Sequence, residues 1–280
     1  MRRTALAILT LALLGGFAVP ATAAPSSGYN DWSCQPSAAH PRPVVLIHGL
    51  GGNGPGNWAF HGPKLADAGY CAFSFTYGQQ FPGAPGGTRP VKESAQEVGA
   101  FIDKVRAATG TAEVDLVGHS EGGFLSLYVP KVAGYASEVG TVVALAPPTH
   151  GTTVSGLVTV GQLLGGQEFI ELLTDGVMCY ACGDLVDGGE AVNELTDGPI
   201  AQDDVDYTVI ATRYDVVVTP TSTSFVDEPG VDNQYVQDTC AADPVGHVGI
   251  AFDSTVTQLI TNALDPNTAV DVECGFGPPV

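Results

Sequence analysis

Glu113-Val114-Asp115-Leu116-Val117-Gly118-His119-Ser120-Glu121-Gly122 is the stretch on which the fold of this chain turns. A short apolar run ends, the chain turns sharply at Ser120, and the pattern predicts a helix from about Gly122. Strand, tight turn and helix in that order form a Gly-x-Ser-x-Gly elbow, which lifts a serine hydroxyl above a sheet edge. The flanking glycines are needed because strand and helix pack so closely that a side chain there would meet backbone. The pentapeptide alone is weak evidence, so its setting has to carry the argument.

That setting is a regular alternation. Val44 to Ile47 and Cys71 to Thr76 read as buried strands. A helix follows from about Val91 to Ala108, with Ala95, Val98, Phe101, Ile102 and Val105 spaced for one buried face. After the elbow come a helix to about Gly134, strands at Thr141–Leu145 and Tyr207–Ala211, a last strand at Asn233–Gln237 and a last helix at Ile250–Leu264. Strands separated by helical stretches imply an α/β fold with a mainly parallel central sheet flanked by helices in three layers. The stretch from Gly151 to Ile200 breaks the rhythm and reads as an insertion covering the cleft.

An elbow of this kind predicts the chain order serine, acid, histidine. His247 stands in Asp243-Pro244-Val245-Gly246-His247-Val248-Gly249, a glycine-flanked loop before the last helix, where its ring can turn toward Ser120 and take a proton. Asp215 follows the Tyr207–Ala211 strand, 32 residues before His247, and suits the acid that orients the imidazole. Asp227 and Asp232 are the alternatives. His48-Gly49-Leu50-Gly51-Gly52 follows the first strong strand, and its turn can aim backbone N–H groups at a developing oxyanion. The donors expected are the amides of Leu50 and Glu121. A phosphate-binding loop is the rival, but the Lys-Ser/Thr ending and the Gly-x-Gly-x-x-Gly spacing are missing. His48 shapes the turn, His119 packs beside the site, His150 lies near the cleft, and His40 and His61 read as loop or surface residues.

Whole-chain features bound the rest. Met1-Arg2-Arg3, an apolar run from Ala5 to Val19 and Ala21-Thr22-Ala23 read as a signal peptide over residues 1–23, cleaved before Ala24. Residues 24–280 then form a single domain, extracellular and without a transmembrane segment. The formal charge of the whole chain is −20, and the leader holds two of the ten basic residues and none of the thirty acidic ones, so the mature charge is −22. Such a field repels nucleic acid and anionic headgroups and suits neutral or cationic substrates. Six cysteines in an exported chain point to three disulfides, and fifteen pairings are open. Cys34–Cys71, Cys179–Cys182 and Cys240–Cys274 are favoured. Metal or redox chemistry at Cys179-Tyr180-Ala181-Cys182 is disfavoured, because a second ligand pair is missing and no helix visibly starts there to lower a thiol pKa.

A family resemblance rests on the elbow together with more specific pieces. These are Val44-Val45-Leu46-Ile47-His48-Gly49, Pro147-Pro148-Thr149-His150-Gly151-Thr152, Tyr207 to Asp215, Val217-Val218-Thr219-Pro220, Val236-Gln237-Asp238 and Gly246-His247-Val248-Gly249-Ile250. With them the chain resembles the secreted actinobacterial lipases of the α/β-hydrolase superfamily, the class 2 lipases, over nearly its whole mature length. The resemblance implies an α/β-hydrolase fold and hydrolysis of lipid carboxylic esters, triacylglycerols foremost, by Ser120, Asp215 and His247. It implies no cofactor and no metal. Val216 departs from the acidic residue these lipases often carry beside the aspartate.

The reading is therefore a monomeric serine ester hydrolase that touches lipid interfaces transiently. Its rivals are a polyester hydrolase or acyltransferase with the same three residues, and a catalytically silent binding protein on the same fold. The apolar run from Gly151 to Leu173, with Leu157, Leu163 and Leu164, is expected to line the acyl-binding cleft, or else to pack on the sheet as core.

Overall fold

A computed structural model of the protein describes residues 28–153 and 179–280. The expected leader and the residues Leu157, Leu163 and Leu164 lie outside the described residues. Six strands, β1 (Val44–Ile47), β2 (Ala72–Ser74), β3 (Val114–His119), β4 (Val139–Leu145), β5 (Asp206–Ala211) and β6 (Val231–Tyr235), form one sheet in the order β2-β1-β3-β4-β5-β6. Every pairing is parallel. Helices α1 (Gly54–Asn57), α2 (His61–Asp67), α3 (Val91–Thr109), α4 (Glu121–Lys131), α5 (Tyr180–Asp184), α6 (Glu190–Thr196), α7 (Val236–Thr239) and α8 (Ser254–Leu264) connect or cover the strands.

Both sheet faces are buried, and the period of two along each strand divides the core. Val45, Ile47, Leu116, Val142 and Val209 pack with Val98, Ile102, Phe124 and Leu125 of α3 and α4. Val44, Leu46, Val117, Val143 and Ile210 pack with Leu65 of α2 and with Val256, Leu259 and Ile260 of α8. Continuous apolar strands are what a parallel sheet covered on both faces requires. The α/β-hydrolase fold with three layers is thus present.

Sheet order also sets where a ligand can enter. From β1 the chain goes to β2 on one side, while β3 lies on the other. Loops leaving the carboxyl ends of β1 and β3 therefore diverge, and such a switch point leaves a crevice. His48-Gly49-Leu50 follows β1, and Ser120 follows β3.

Some expected boundaries shift. Only Ala72–Ser74 of the Cys71–Thr76 run joins the sheet. Phe75 stacks on Phe101 with centroids 4.0 Å apart, and Tyr77 stacks on His48, which draws the chain out of the ladder. The last strand ends at Tyr235, because Val236 opens α7 and the Asp238 carboxylate accepts the Tyr235 N–H. The last helix is two pieces, a 3-10 turn at Gly249–Phe252 and then α8, with Asp253 capping α8 by accepting the Thr255 N–H at 2.6 Å. His61 is fully buried, not a surface residue, with ring nitrogens on Thr257 Oγ1 (2.9 Å) and the Ile250 carbonyl (3.0 Å).

Three disulfides join Cys34 to Cys71, Cys179 to Cys182 and Cys240 to Cys274. A short helix, α5, does start at Tyr180, contrary to expectation, but both neighbouring thiols are consumed in a bridge. Val91 N–H donates to the Asp184 carboxylate at 2.8 Å, which ties α5 to the start of α3.

Candidate active site

Ser120 sits between β3 and α4 with φ 58° and ψ −121°, backbone angles rarely adopted by a residue with a side chain. The strain persists because its surroundings are fixed. Ser120 N–H donates to the Leu145 carbonyl at 2.8 Å, and the Ser120 carbonyl accepts from Phe124 N–H at 3.0 Å. A Cβ on Gly118 would lie 2.0 Å from the Gly122 carbonyl oxygen, and one on Gly122 would lie 2.1 Å from that of Ile47. Strand, helix and β1 can only approach this closely because both residues are glycine.

Ser120, His247 and Asp215 meet at the carboxyl edge of the sheet. His247 Nε2 lies 2.8 Å from Ser120 Oγ, and His247 Nδ1 lies 2.7 Å from Asp215 Oδ2. All three are buried, with Ser120 9% exposed at the floor of the cleft. Asp215 Oδ1 accepts the N–H groups of Val217 and Val218, both at 2.8 Å. One carboxylate oxygen is thereby occupied by backbone, leaving the other for the imidazole and selecting the tautomer with its proton on Nδ1. Asp227 and Asp232 are exposed, and the His247 ring nitrogens bond Asp215 and Ser120 instead.

The loops that carry these residues are held by polar contacts with little sequence signature. Thr212 Oγ1 donates to the Val245 carbonyl, and Gln237 Nε2 donates to both Thr212 Oγ1 (3.0 Å) and the Asp243 carbonyl (3.0 Å). Thr152 Oγ1 donates to the Val217 carbonyl at 2.6 Å. Behind His247 runs the C-terminal stretch: Gly246 N–H donates to the Pro278 carbonyl (3.0 Å) and Gly249 N–H to the Val280 carbonyl (2.7 Å).

Leu50 and Glu121 both stand beside Ser120. Around the turn, Gly49 N–H donates to Asn57 Oδ1, Gly51 N–H to the Gly86 carbonyl, and Gly52 N–H to the Gly49 carbonyl. The Leu50 N–H lies between these fixed amides and has no acceptor among the described residues. Glu121 opens α4, so its N–H is one of the helix's unpaired first donors. Its side chain points the other way, into the protein, where burial, with Asp184 adding, pushes the carboxyl well above the usual carboxylate range. Two histidines nearby are kept neutral by burial, His48 at about 4 and His119 at about 3. His48 donates Nδ1–H to the Gly49 carbonyl at 2.8 Å and shapes the turn. His150 is exposed, bonded to the Phe225 carbonyl.

A cavity of about 240 Å³ opens over Ser120, lined among others by Leu50, Asn57, His247, Val248 and Phe252. A narrower crevice on the other side of Leu50 and Val217 is lined by Glu121, Leu185 and Val218. Among the described residues no cluster of three metal-ligating side chains occurs, and no helix is long and apolar enough to cross a membrane. Asn57, Thr212, Gln237 and the C-terminal stretch were not singled out by the sequence reading. Thr212 and Gln237 left a trace there only as members of the Tyr207 to Asp215 and Val236-Gln237-Asp238 motifs.

Known proteins are consistent with this arrangement. The family model described as Lipase (class 2) matches residues 41–260. A triacylglycerol lipase of Burkholderia plantarii is 30% identical over 169 residues, which cover 56% of this chain and 42% of the relative. One from Pseudarthrobacter phenanthrenivorans is 32% identical over 133 residues, 43% of this chain and 37% of the relative. The match thus spans less than half the length of either curated relative. Among solved structures, Aspergillus fumigatus lipase B superposes with TM-score 0.64 at 20% identity, over 85% of this chain and 54% of that one. The mature form of the Bacillus licheniformis lipase BlEst2 superposes with TM-score 0.59 at 17% identity, over 87% and 99%. At such identities these structures bear on the fold alone.

Proposed function

The chain belongs to the class 2 lipase family, and from that membership we propose that it is an exported serine hydrolase of lipid carboxylic esters, triacylglycerols foremost. The observation that carries the reading is the continuous hydrogen-bonded run from Ser120 Oγ through His247 to Asp215 Oδ2. His247 Nε2 removes the Ser120 proton as Oγ attacks the ester carbonyl. The Leu50 and Glu121 N–H groups hold the negative oxygen of the tetrahedral intermediate. His247 passes the proton to the departing alcohol, and the C–O bond of the ester breaks to leave an acyl-Ser120. Water, deprotonated by the same imidazole, then attacks the acyl carbon; the bond from that carbon to Ser120 Oγ breaks, the imidazolium returns the proton to Oγ, and the carboxylic acid leaves. The Asp215 carboxylate stabilises the imidazolium in both halves of the cycle.

The cavity supports a neutral, largely apolar substrate, since Leu50, Val217, Val248, Ala251 and Phe252 supply much of its wall. Three disulfides support an oxidising, extracellular location, and a single-domain monomer over residues 24–280 is part of the same proposal. Leu157, Leu163 and Leu164 remain the proposed acyl-chain contacts. The chemistry assigned to Ser120, His247 and Asp215 requires neither a metal nor a cofactor.

A serine-directed phosphonate should label Ser120 one-to-one, and Ser120→Ala should stay folded while losing several orders of magnitude in ester turnover. Near-wild-type turnover by folded Ser120→Ala would sink the assignment. A panel of p-nitrophenyl esters, emulsified triglycerides and a solid polyester then ranks the substrate classes. Faster release from polyester than from triglyceride would replace lipase by polyester hydrolase.

A further inference from the structure

We propose that His119 is a positioning residue, resting on the ester-hydrolase reading above, that locks the nucleophile elbow to the His247 loop. His119 precedes Ser120, and its ring centroid lies 5.2 Å from that of His247. Neither of its nitrogens reaches Ser120 Oγ, and both are engaged elsewhere. Nε2 lies 2.9 Å from the main-chain carbonyl oxygen of His247, and Nδ1 lies 3.0 Å from Asn57 Oδ1. Asn57 Oδ1 also accepts Gly49 N–H at 3.2 Å, and Gly49 immediately precedes Leu50. One imidazole therefore stands between the residue that moves protons and the turn that carries an oxyanion donor.

The proton count shows which bond matters most. A neutral imidazole carries one N–H, yet both of its nitrogens face oxygen acceptors. Burial keeps His119 neutral through the working range, with a pKa near 3. The His247 carbonyl can only accept, whereas the Asn57 amide can turn either its oxygen or its nitrogen toward the ring, so the ring proton belongs on Nε2, donated to the His247 carbonyl. Nδ1 then presents a lone pair to Asn57, whose Nδ2 is buried without a partner in its present orientation. Rotating that amide would give Nδ1 a donor and take the acceptor from Gly49. Asn57 can serve the oxyanion turn or His119, but not both.

The consequence for catalysis is geometric. The His247 ring must hold 2.8 Å from Ser120 Oγ and then deliver the same proton to a leaving alcohol. Anchoring the His247 carbonyl to the neighbour of the nucleophile makes the two move as one unit. A misplacement of about 1 Å in such a pair costs on the order of 100-fold in rate.

Two substitutions separate the two ring nitrogens. The amide nitrogen of His119→Gln reaches about where Nε2 stands, whereas that of His119→Asn reaches about where Nδ1 stands. The expected result is that His119→Gln keeps kcat within about threefold, while His119→Asn loses about 10- to 100-fold in kcat with KM changed by less than about twofold. Equal effects of the two variants on kcat, or a loss in KM instead, would overturn the assignment. Failure of both to fold would overturn it too, since His119 would then be a structural residue only. Phosphonate labelling of the wild-type enzyme is the control that keeps the proposals apart. If Ser120 is not labelled, the ester-hydrolase reading fails; if it is labelled and the two variants match, only the role of His119 fails.

Discussion

Thr212 donates its hydroxyl to the main-chain carbonyl of Val245 at 2.5 Å, joining the end of β5 to the loop that carries His247. Thr212 is fully buried, three residues before Asp215, and Val245 is two residues before His247. The bond therefore fixes the spacing of Asp215 and His247 from outside the pair itself. Gln237 reinforces it by donating to Thr212 Oγ1 and to the Asp243 carbonyl and by accepting Arg213 N–H at 2.9 Å.

Thr212→Val keeps the shape and removes the hydroxyl. It leaves the Val245 carbonyl and the Gln237 amide short of a partner in a buried setting, a cost of about 1–3 kcal/mol. Urea denaturation should show a loss in that range, and kcat for a soluble ester should fall about tenfold with KM nearly unchanged. A variant with wild-type kcat would mean that the two loops find their spacing without this bond.

Asp215→Asn should lower kcat by roughly 10⁴-fold, as expected when the group that orients a catalytic imidazole loses its charge and can impose the wrong tautomer. The backbone bonds from Val217 and Val218 to Oδ1 can survive the change, so folding should not suffer much. Asp227→Asn and Asp232→Asn should stay within about twofold of wild type, since both carboxylates are exposed. A severe loss in either, with a mild one in Asp215→Asn, would move the acid elsewhere.

Glu121 gives a pH-dependent prediction. Its folded-state pKa is raised well above its unfolded value by burial, with Asp184 adding to the shift. A carboxyl raised on folding binds its proton more tightly in the native state, so its contribution is most favourable below the unfolded pKa and declines as pH rises above it. Glu121→Gln has no such proton to lose. The stability difference between Glu121→Gln and wild type should therefore grow in favour of the variant from about pH 5 upward, by up to about 1.4 kcal/mol per pH unit until the native carboxyl ionises. Denaturation midpoints of both proteins across pH 5–9 test this. Parallel curves would show that Glu121 is ionised in the native protein, with a partner that compensates it.

The sequence made the fold and the three central residues legible because their constraints are local. Gly118 and Gly122 have to be glycine where β3, α4 and β1 touch, and a five-residue pattern records that. Asp215 could be located because it follows a strand with a clear apolar run. Asn57 could not, since α1 has only four residues and no periodicity, and its partner His119 lies 62 positions away. His61 was misread for the same reason: its carbonyl partner, Ile250, is 189 residues distant. Short-range pattern reports backbone geometry well, but a polar side chain's partner is a property of the folded chain.

The Cys240–Cys274 disulfide closes 34 residues and tethers the C-terminal stretch near the His247 loop. From Cys274 onward the chain bonds that neighbourhood repeatedly. Gly275 N–H donates to Thr255 Oγ1 (2.8 Å), Gly277 N–H to Asp243 Oδ1 (3.3 Å), and the Pro278 and Val280 carbonyls accept Gly246 and Gly249 N–H. A Cβ on Gly249 would lie 1.8 Å from the Pro278 carbonyl oxygen, so the two segments are in direct backbone contact. Loop-closure entropy alone assigns a bridge of this span about 3–4 kcal/mol, and the three-residue Cys179–Cys182 bridge the least of the three. If the stretch also braces His247, the double variant Cys240→Ser/Cys274→Ser should lose activity at temperatures where it is still folded, whereas Cys179→Ser/Cys182→Ser should lose activity only as it unfolds. Far-ultraviolet circular dichroism and ester turnover, followed together on heating, separate the two cases. Coincident loss of both signals in Cys240→Ser/Cys274→Ser would reduce its bridge to a stabiliser of the whole domain, with no particular hold on His247.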